Sequence, residues 1–388
     1  MKKFFAILMA VLMMTAMFAG CASSGGNETN ANVIKIGMTG PLTGGAAEYG
    51  LAVQAGMEIA VEEINAAAGE DGLKIEFKAE DDEADGEKAV AGYNVLKDWG
   101  MQFFAGTVTS GACNAVAPET VNDSIFLLTP SASAPEVATA GANTYQMCFT
   151  DPNQGASAAE VISGKWADAV IGVIYDSSDD YSSGLYQGFM KKADELGLDV
   201  VVETSFTKDT KSDLSTQITQ CKDAGATLVF LPIYYSEASQ ILTYANKIGY
   251  APAFFGCDGM DGILGVEGFD PALAEGLALM TPFDANATDE ATVSFVNKFK
   301  AKMNGLVPNQ FAADGYDCIY AIYAACVEKG VNGETSAADA CALVSEWFNT
   351  TAGFDGLTGK GMTWDAEGMI SKIPAAVVVS NGIYVPMN

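Results

Sequence analysis

Histidine and arginine are both absent from the 388 residues, and all 20 basic side chains are lysines. Without imidazole there is no Ser-His-Asp or Cys-His nucleophile system and no histidine-based zinc site. Without guanidinium there is no planar fork to grip a carboxylate or phosphate bidentately. Any carboxylate ligand must then be held by hydroxyls, backbone N–H groups or lysine. Positive charge is scarce in general: 49 acidic residues against 20 basic ones give a formal charge of -29. That balance excludes a nucleic-acid surface, which needs cations to neutralise phosphates, and disfavours anionic partners. The glycines of GPLTGG after Met38 do not form GxGxxG, no Walker pattern occurs, and no nucleotide or other cofactor is expected. No CxxC pair is present, and apart from the N-terminus no apolar run approaches the roughly 20 residues that span a membrane.

That N-terminal run has a clear reading. Lys2 and Lys3 precede an apolar stretch of about 15 residues from Phe4 to Phe18, too short to span and shaped like an export signal. Ala19 and Gly20 are the small residues a signal peptidase requires, and Ala-Gly-Cys resembles a bacterial lipobox in which Cys21 becomes the lipid-bearing first residue. The other reading is an ordinary signal cut elsewhere, with Cys21 a plain thiol. We expect residues 1–20 to be the signal peptide and residues 21–32 to be a lipidated, flexible tether, since ASSGGNETNAN can pack no core. The mature protein would be extracytoplasmic and lipid-anchored, with Ala22 after Cys21 giving no inner-membrane retention signal. Loss of two lysines takes the charge from -29 to -31.

Some 355 residues remain, enough for two domains with independent cores. Seven cysteines remain besides Cys21, and most sit among apolar residues, as Cys148 does in YQMCF, where a thiol packs as a small hydrophobe. From Val33 the chain alternates short apolar runs with amphipathic segments, the signature of α/β units around parallel sheets. VIKIGM, LKIEFKA, MQFFAG, SIFLLT and TYQMCF read as strands of a first series, with helices near 51–68 and 86–99. A second series follows Asp151, with strands AVIGVIYD, DVVVETS, TLVFLP and AFFGCDG. LMTPFD breaks that rhythm, helices follow at about 288–304 and 310–329, and the tail reads as short strands joined by Gly and Asn turns. The fold class is therefore α/β: two doubly wound, Rossmann-like lobes joined by a hinge. The N-terminal lobe is expected to hold 33–150 and 281–354, and the C-terminal lobe 151–280 and 355–388.

In an open parallel sheet, ligands bind outside the carboxyl ends of the strands. The segments there are TGPLTGGAAEYG, GTVTSGACNA and TPSASAPE in the first series, and YDSSDDYSSG, LPIYYSEAS and GCDGMDG in the second. They carry hydroxyls, tyrosines, glycines and a few acids, a set that can hold a polar ligand without covalent chemistry. EDDEADGE at 80–87 lacks EF-hand spacing and reads as a solvated loop rather than a metal site.

The order and spacing of these loops, with AADGYDCIYAIYAA and LTGKGMTWDAEG further on, resemble the branched-chain amino-acid-binding proteins of ABC transporters. Those are type I periplasmic-binding-protein folds, and the likeness runs from about Val33 to the end. The resemblance implies that Ser110 binds a ligand α-carboxylate by hydroxyl and backbone N–H, joined by Ser133 and the backbone of Ala132. It implies that Asp258 pairs with the ammonium from the second lobe, that Tyr181 closes over the ligand and that Tyr49 forms an aromatic wall. Tyr234 is a further candidate, with Tyr235 as its rival. Serines in such loops also cap helices, and an aspartate at a turn also caps, so these structural roles stand beside the functional ones. Met260 departs from the family, where an aromatic residue is frequent.

The function implied is a non-enzymatic receptor, monomeric and membrane-tethered through its lipid, that binds an amino acid, branched-chain or otherwise aliphatic, and delivers it to an ABC permease. A relative taking amides, urea or aromatic acids, a ligand-sensing module, and an enzyme using Asp, Lys or Tyr chemistry are the other readings.

Overall fold

The computed structural model describes residues 30–387; the expected signal, Cys21 and most of the expected tether lie outside the described residues. Asn30–Asn32, at the end of the expected tether, are held: Gly333 N–H donates to Ala31 O at 3.0 Å and Lys74 N–H to Asn32 O at 2.8 Å.

Two sheets carry the chain. The first is parallel throughout, in the order β2, β1, β3, β4, β5, built from β1 (Val33–Gly40), β2 (Lys74–Asp81), β3 (Phe103–Phe104), β4 (Phe126–Thr129) and β5 (Thr144–Gln146). Helices α1 (Ala47–Ala68), α2 (Gly86–Trp99), α3 (Ser110–Asp123) and the short α4 (Pro135–Ala138) connect these strands. Central strands flanked on both faces read as continuous apolar runs, and FLLT of β4 is buried at every position.

After α5 (Asp151–Lys165) the second sheet forms, from β6 (Val170–Asp176), β7 (Asp199–Phe206), β8 (Leu228–Leu231), β9 (Ala253–Gly256) and β10 (Ala278–Thr281). These five are parallel in the order β10, β9, β8, β6, β7, with α6 (Asp180–Leu196), α7 (Ser215–Asp223) and α8 (Tyr235–Lys247) between them. Two α/β sheets with helical crossovers make the two doubly wound lobes that the sequence pattern implies, in the type I periplasmic-binding-protein arrangement that the resemblance implies. Ala278–Thr281, read above as a break, is a strand; Pro282, which has no N–H for a ladder, follows it.

The chain then returns to the first sheet with α9 (Glu290–Lys302), α10 (Gln310–Lys329) and α11 (Ala337–Thr350), and finally adds the antiparallel hairpin β11 (Ala375–Ser380) and β12 (Ile383–Pro386) to the second. Helix α11 was not anticipated. Its signal is short but present: Ser336 accepts from Asp339 N–H, and Ala340, Cys341, Val344, Trp347 and Phe348 are buried at helical spacing.

Helix α10 lies against α1 because glycines let the backbones meet. A Cβ at Gly56 would stand 1.9 Å from Ala312 O, and one at Gly315 would stand 2.7 Å from Val53 O. This close approach sets the start of α10 beside the start of α1, at the cleft between the lobes.

On its last return between sheets the chain is anchored by a buried network. Lys372 Nζ donates to Asp314 Oδ1 at 2.7 Å and to Thr358 Oγ1 at 2.6 Å. Asp317 accepts from the N–H groups of Leu357 and Thr358 and from the Thr358 hydroxyl. Burial pushes the Asp314 carboxyl up to about 7, against the pull of Lys372.

Candidate functional site

Each candidate side chain stands where a strand ends and a helix begins. Beyond β1, Tyr49 lies in the first turn of α1; beyond β3, Ser110 opens α3; beyond β4 comes the loop of Ser131, Ala132 and Ser133. On the second lobe Tyr181 follows β6, Tyr234 precedes α8, and Asp258 begins a tight helical turn, Asp258–Met260, after β9.

The lobes meet around a small space. Tyr49, Val108, Thr109, Ser110, Ser131 and Phe311 line it from the first lobe, and Tyr181, Tyr234, Asp258 and Gly259 from the second. The lobes nearly touch here, and the cavity left between them is about 10 Å³, room for about one water molecule. Five predicted residues, Tyr49, Ser110, Tyr181, Tyr234 and Asp258, thus come together from distant parts of the chain. Ala132 and Ser133 stand behind the lining. Ala132 donates its N–H to Thr129 Oγ1 at 3.0 Å and its carbonyl accepts from Gln146 Nε2 at 2.7 Å. Ser133 donates its N–H to Ser110 Oγ at 3.1 Å, while its own buried hydroxyl has no hydrogen-bond partner.

The first-lobe side of the space offers donors. Ser110 Oγ accepts from both Ser133 N–H and Ala134 N–H, which leaves its proton to be given elsewhere. Thr109 occupies the N-cap position of α3, yet its hydroxyl makes no cap bond; Oγ1 is buried and without a partner. A helix N-terminus with a spare hydroxyl beside it favours an anionic group.

The second-lobe side offers an acceptor. The Tyr181 hydroxyl donates to Asp258 Oδ1 at 2.6 Å and accepts from Gly259 N–H at 2.8 Å. Gly259 N–H also reaches Oδ1, and Asp258 N–H donates to Gln154 Oε1 at 2.6 Å. Both side-chain contacts fall on Oδ1, leaving Oδ2 for a cation. Burial raises the Asp258 carboxyl above its ordinary value, and the bonds from Tyr181 and Gly259 oppose the rise.

Aromatic rings close the sides. Tyr181 and Tyr234 are stacked with centroids 4.9 Å apart and planes 4° apart, and Tyr49 meets Phe311 at 4.5 Å. Tyr235, the rival of Tyr234, is behind Tyr49: its ring packs edge-on at 4.7 Å and its hydroxyl accepts from Glu48 N–H. The Tyr49 hydroxyl joins the lobes, donating to Gly259 O and accepting from Tyr235 N–H at 3.2 Å. Met260 is fully buried and packs against Gly256, away from the lining.

Thr109, Phe311 and Gln154 were missed. Reading from strand ends covers Thr109, but only the tertiary structure tells that it leaves its cap role. Phe311 lies on a helix that starts at Gln310 and follows none of the strands that were read, and Gln154 lies on the helix that starts at Asp151 after TYQMCF, whose loop was not among the segments singled out. The acidic run at 80–87 is also more structural than a solvated loop. Asp81 accepts from Leu42 N–H, Thr43 N–H and the Thr43 hydroxyl, and Asp82 is fully buried, so the run braces the GPLTG loop. Among the described residues no group of three or more His, Cys, Asp or Glu side chains is disposed to hold a metal ion. All seven described cysteines are buried and unpaired.

Two parallel-sheet lobes with opposed polar groups across an aromatic cleft define a solute-binding protein. A family model described as periplasmic binding protein matches residues 33–382, and the chain belongs to that family. It is 28% identical over 354 residues to the leucine-, isoleucine-, valine-, threonine- and alanine-binding protein of Pseudomonas aeruginosa, covering 90% of this chain and 92% of the relative. It is 29% identical over 292 residues to the Leu/Ile/Val-binding protein of Escherichia coli, covering 74% and 78%. Among solved structures, the branched-chain amino acid transporter substrate binding protein LivJ of Streptococcus pneumoniae, in complex with isoleucine, superposes with a TM-score of 0.80 at 26% identity, over 92% of this chain and 100% of that one. The leucine binding protein LivK of Thermotoga maritima gives a TM-score of 0.80 at 26% identity, over 92% and 98%.

Proposed function

We propose that this protein is an extracytoplasmic receptor that closes its two lobes over an amino acid with an aliphatic side chain and delivers it to an ABC permease. One observation carries the reading: neutral donors at the start of α3 face the Asp258 carboxylate across a narrow space walled by aromatic rings. That arrangement complements a zwitterion. Ser110, Thr109 and the first N–H groups of α3 take the α-carboxylate, with Ser133 and Ala132 bracing the loop. Asp258, oriented by Tyr181 and Gln154, takes the ammonium through a charge-assisted bond. Tyr49, Tyr181, Tyr234 and Phe311 supply apolar area to the side chain. The similar proteins are named for binding leucine, isoleucine and valine, which supports the same class.

Binding by closure works through differential affinity: the ligand touches both lobes only when they are together, and so shifts the population toward the closed form. The three crossings between the sheets serve as the hinge. Cys21, lipid-modified, would hold the receptor near its permease on a tether while leaving the lobes free to move, and the receptor acts as a monomer without chemistry on its ligand. Titration calorimetry with leucine, isoleucine, valine, threonine, alanine, glutamate and lysine tests the assignment. Heat of binding for the aliphatic members supports it, and silence across the whole set overturns it.

A further inference from the structure

Asp258 is not the only acid in its turn that reaches across the cleft. Asp261, three residues on, is 4% exposed, and its Oδ2 accepts from Gln310 N–H at 2.8 Å. Gln310 is the first residue of α10, a 20-residue helix packed on α1 of the first lobe. The Gln310 side chain answers in the other direction, with Nε2 donating to Asp258 O at 3.2 Å. The N-cap of α10, Asn309, already serves Ala312 N–H. Of the first N–H groups of this helix, one is therefore met within the helix and another by a carboxylate of the opposite lobe. The next residue along, Phe311, lines the ligand space.

We infer that Asp261 is a positioning residue for lobe closure: by capping α10 across the cleft it fastens the turn that carries Asp258 to the first lobe. This rests on the proposed receptor function. A carboxylate placed at the positive end of a long helix makes a favourable contact. Opening the cleft replaces that contact with water, so the clasp weighs on the equilibrium between open and closed forms and thereby on ligand affinity. Asp261 never touches the ligand.

The test measures leucine affinity of the wild type, Asp261→Ala and Asp261→Asn at pH 8 by calorimetry, with thermal melts of the ligand-free proteins. Asp261→Ala is expected to weaken leucine binding about tenfold at pH 8, since Gln310 N–H loses its acceptor. Asp261→Asn keeps an amide oxygen for that N–H and should bind within about threefold of wild type. Wild-type affinity in Asp261→Ala overturns the clasp, as does a loss that Asp261→Asn fails to rescue. A wild type that binds none of the amino acids overturns the receptor function itself and takes the clasp with it.

Discussion

Tyr181 and Asp258 form the hydrogen bond at the centre of the cleft: the phenol donates to Oδ1 at 2.6 Å, and its oxygen accepts from Gly259 N–H at 2.8 Å. The carboxylate is thus fixed in direction by a partner on another element. Asp258→Asn removes the charge that meets an ammonium and is expected to weaken amino-acid binding about 100-fold, whereas Tyr181→Phe loosens the carboxylate and weakens it about tenfold. Calorimetry ranks the two, and a larger loss in Tyr181→Phe would sink the assignment of Asp258.

Thr109 separates a structural role from a ligand role. Its hydroxyl is buried, unpartnered and not used as a cap. Replacing an unsatisfied buried hydroxyl with a methyl of the same shape costs nothing in the empty protein. Thr109→Val is therefore expected to melt at or slightly above the wild-type temperature while binding leucine about fivefold to tenfold more weakly. Thr109→Ser should bind like wild type. A lower melting temperature for Thr109→Val would point to a cap instead.

Tyr234 contributes through its ring. It is stacked on Tyr181 at 4.9 Å, and no hydrogen bond involves its hydroxyl among those of the described residues. Tyr234→Phe should leave affinity within about twofold, and Tyr234→Ala should reduce it by about tenfold or more as apolar area and stacking are lost. Competition binding with leucine reads both; a strong loss in Tyr234→Phe would show that the hydroxyl carries the contact.

The buried pair at the last crossing is a stability site. Lys372 and Asp314 are each 2% exposed at the side chain. Lys372→Met strands a buried carboxylate and is expected to cost about 3–5 kcal/mol at pH 8. Asp314, pushed up to about 7 by burial even with the lysine present, is protonated in acid, so the cost should shrink at pH 6. Urea unfolding at the two pH values checks the difference, and an equal cost at both would remove Asp314 as the cause.

The whole protein should be more stable in mild acid than in mild base. Burial pushes Asp82 and Asp179 up to about 6 and Asp261 and Asp314 up to about 7, from an ordinary 3.8. For a raised carboxyl, the stability gained in acid is complete below its unfolded value and is lost as pH rises through its folded one. Glu63, although half-buried, is held below its ordinary 4.5 by bonds from Lys298, Tyr316 and Tyr320. Asp123 lies below its ordinary 3.8 through Lys97 and Tyr93, despite some burial. These lose their contribution as pH falls past those values. The ligand-free melting temperature should therefore peak near about pH 5 and fall toward pH 8. A rise between pH 5 and pH 8 would contradict this.

Much of the fold was legible because its causes are local. Alternating apolar runs and amphipathic stretches announce strands and helices, and a helix after each strand announces parallel sheets. The short strand Ala278–Thr281 and helix Ala337–Thr350 escaped that reading: the first is four residues long with Pro282 behind it, and the second has small or polar residues on much of its surface. Five of the candidate residues line the cleft because they follow strands, and strand ends converge by topology. Phe311 and Gln154 ride on helices whose approach to the cleft depends on close glycine contacts elsewhere, such as Gly56 against Ala312 and Gly155 against Leu185.

By itself the sequence determined what chemistry is missing, where apolar surface repeats, and in what order polar loops leave the strands. Those are properties of composition and short spacing. Only the tertiary structure decided that the Ser110 hydroxyl has its proton to spare, that Thr109 does not cap its helix, and that Asp261 reaches Gln310. Whether a donor or acceptor is already satisfied depends on what packing brings beside it from far along the chain, and no local pattern encodes that.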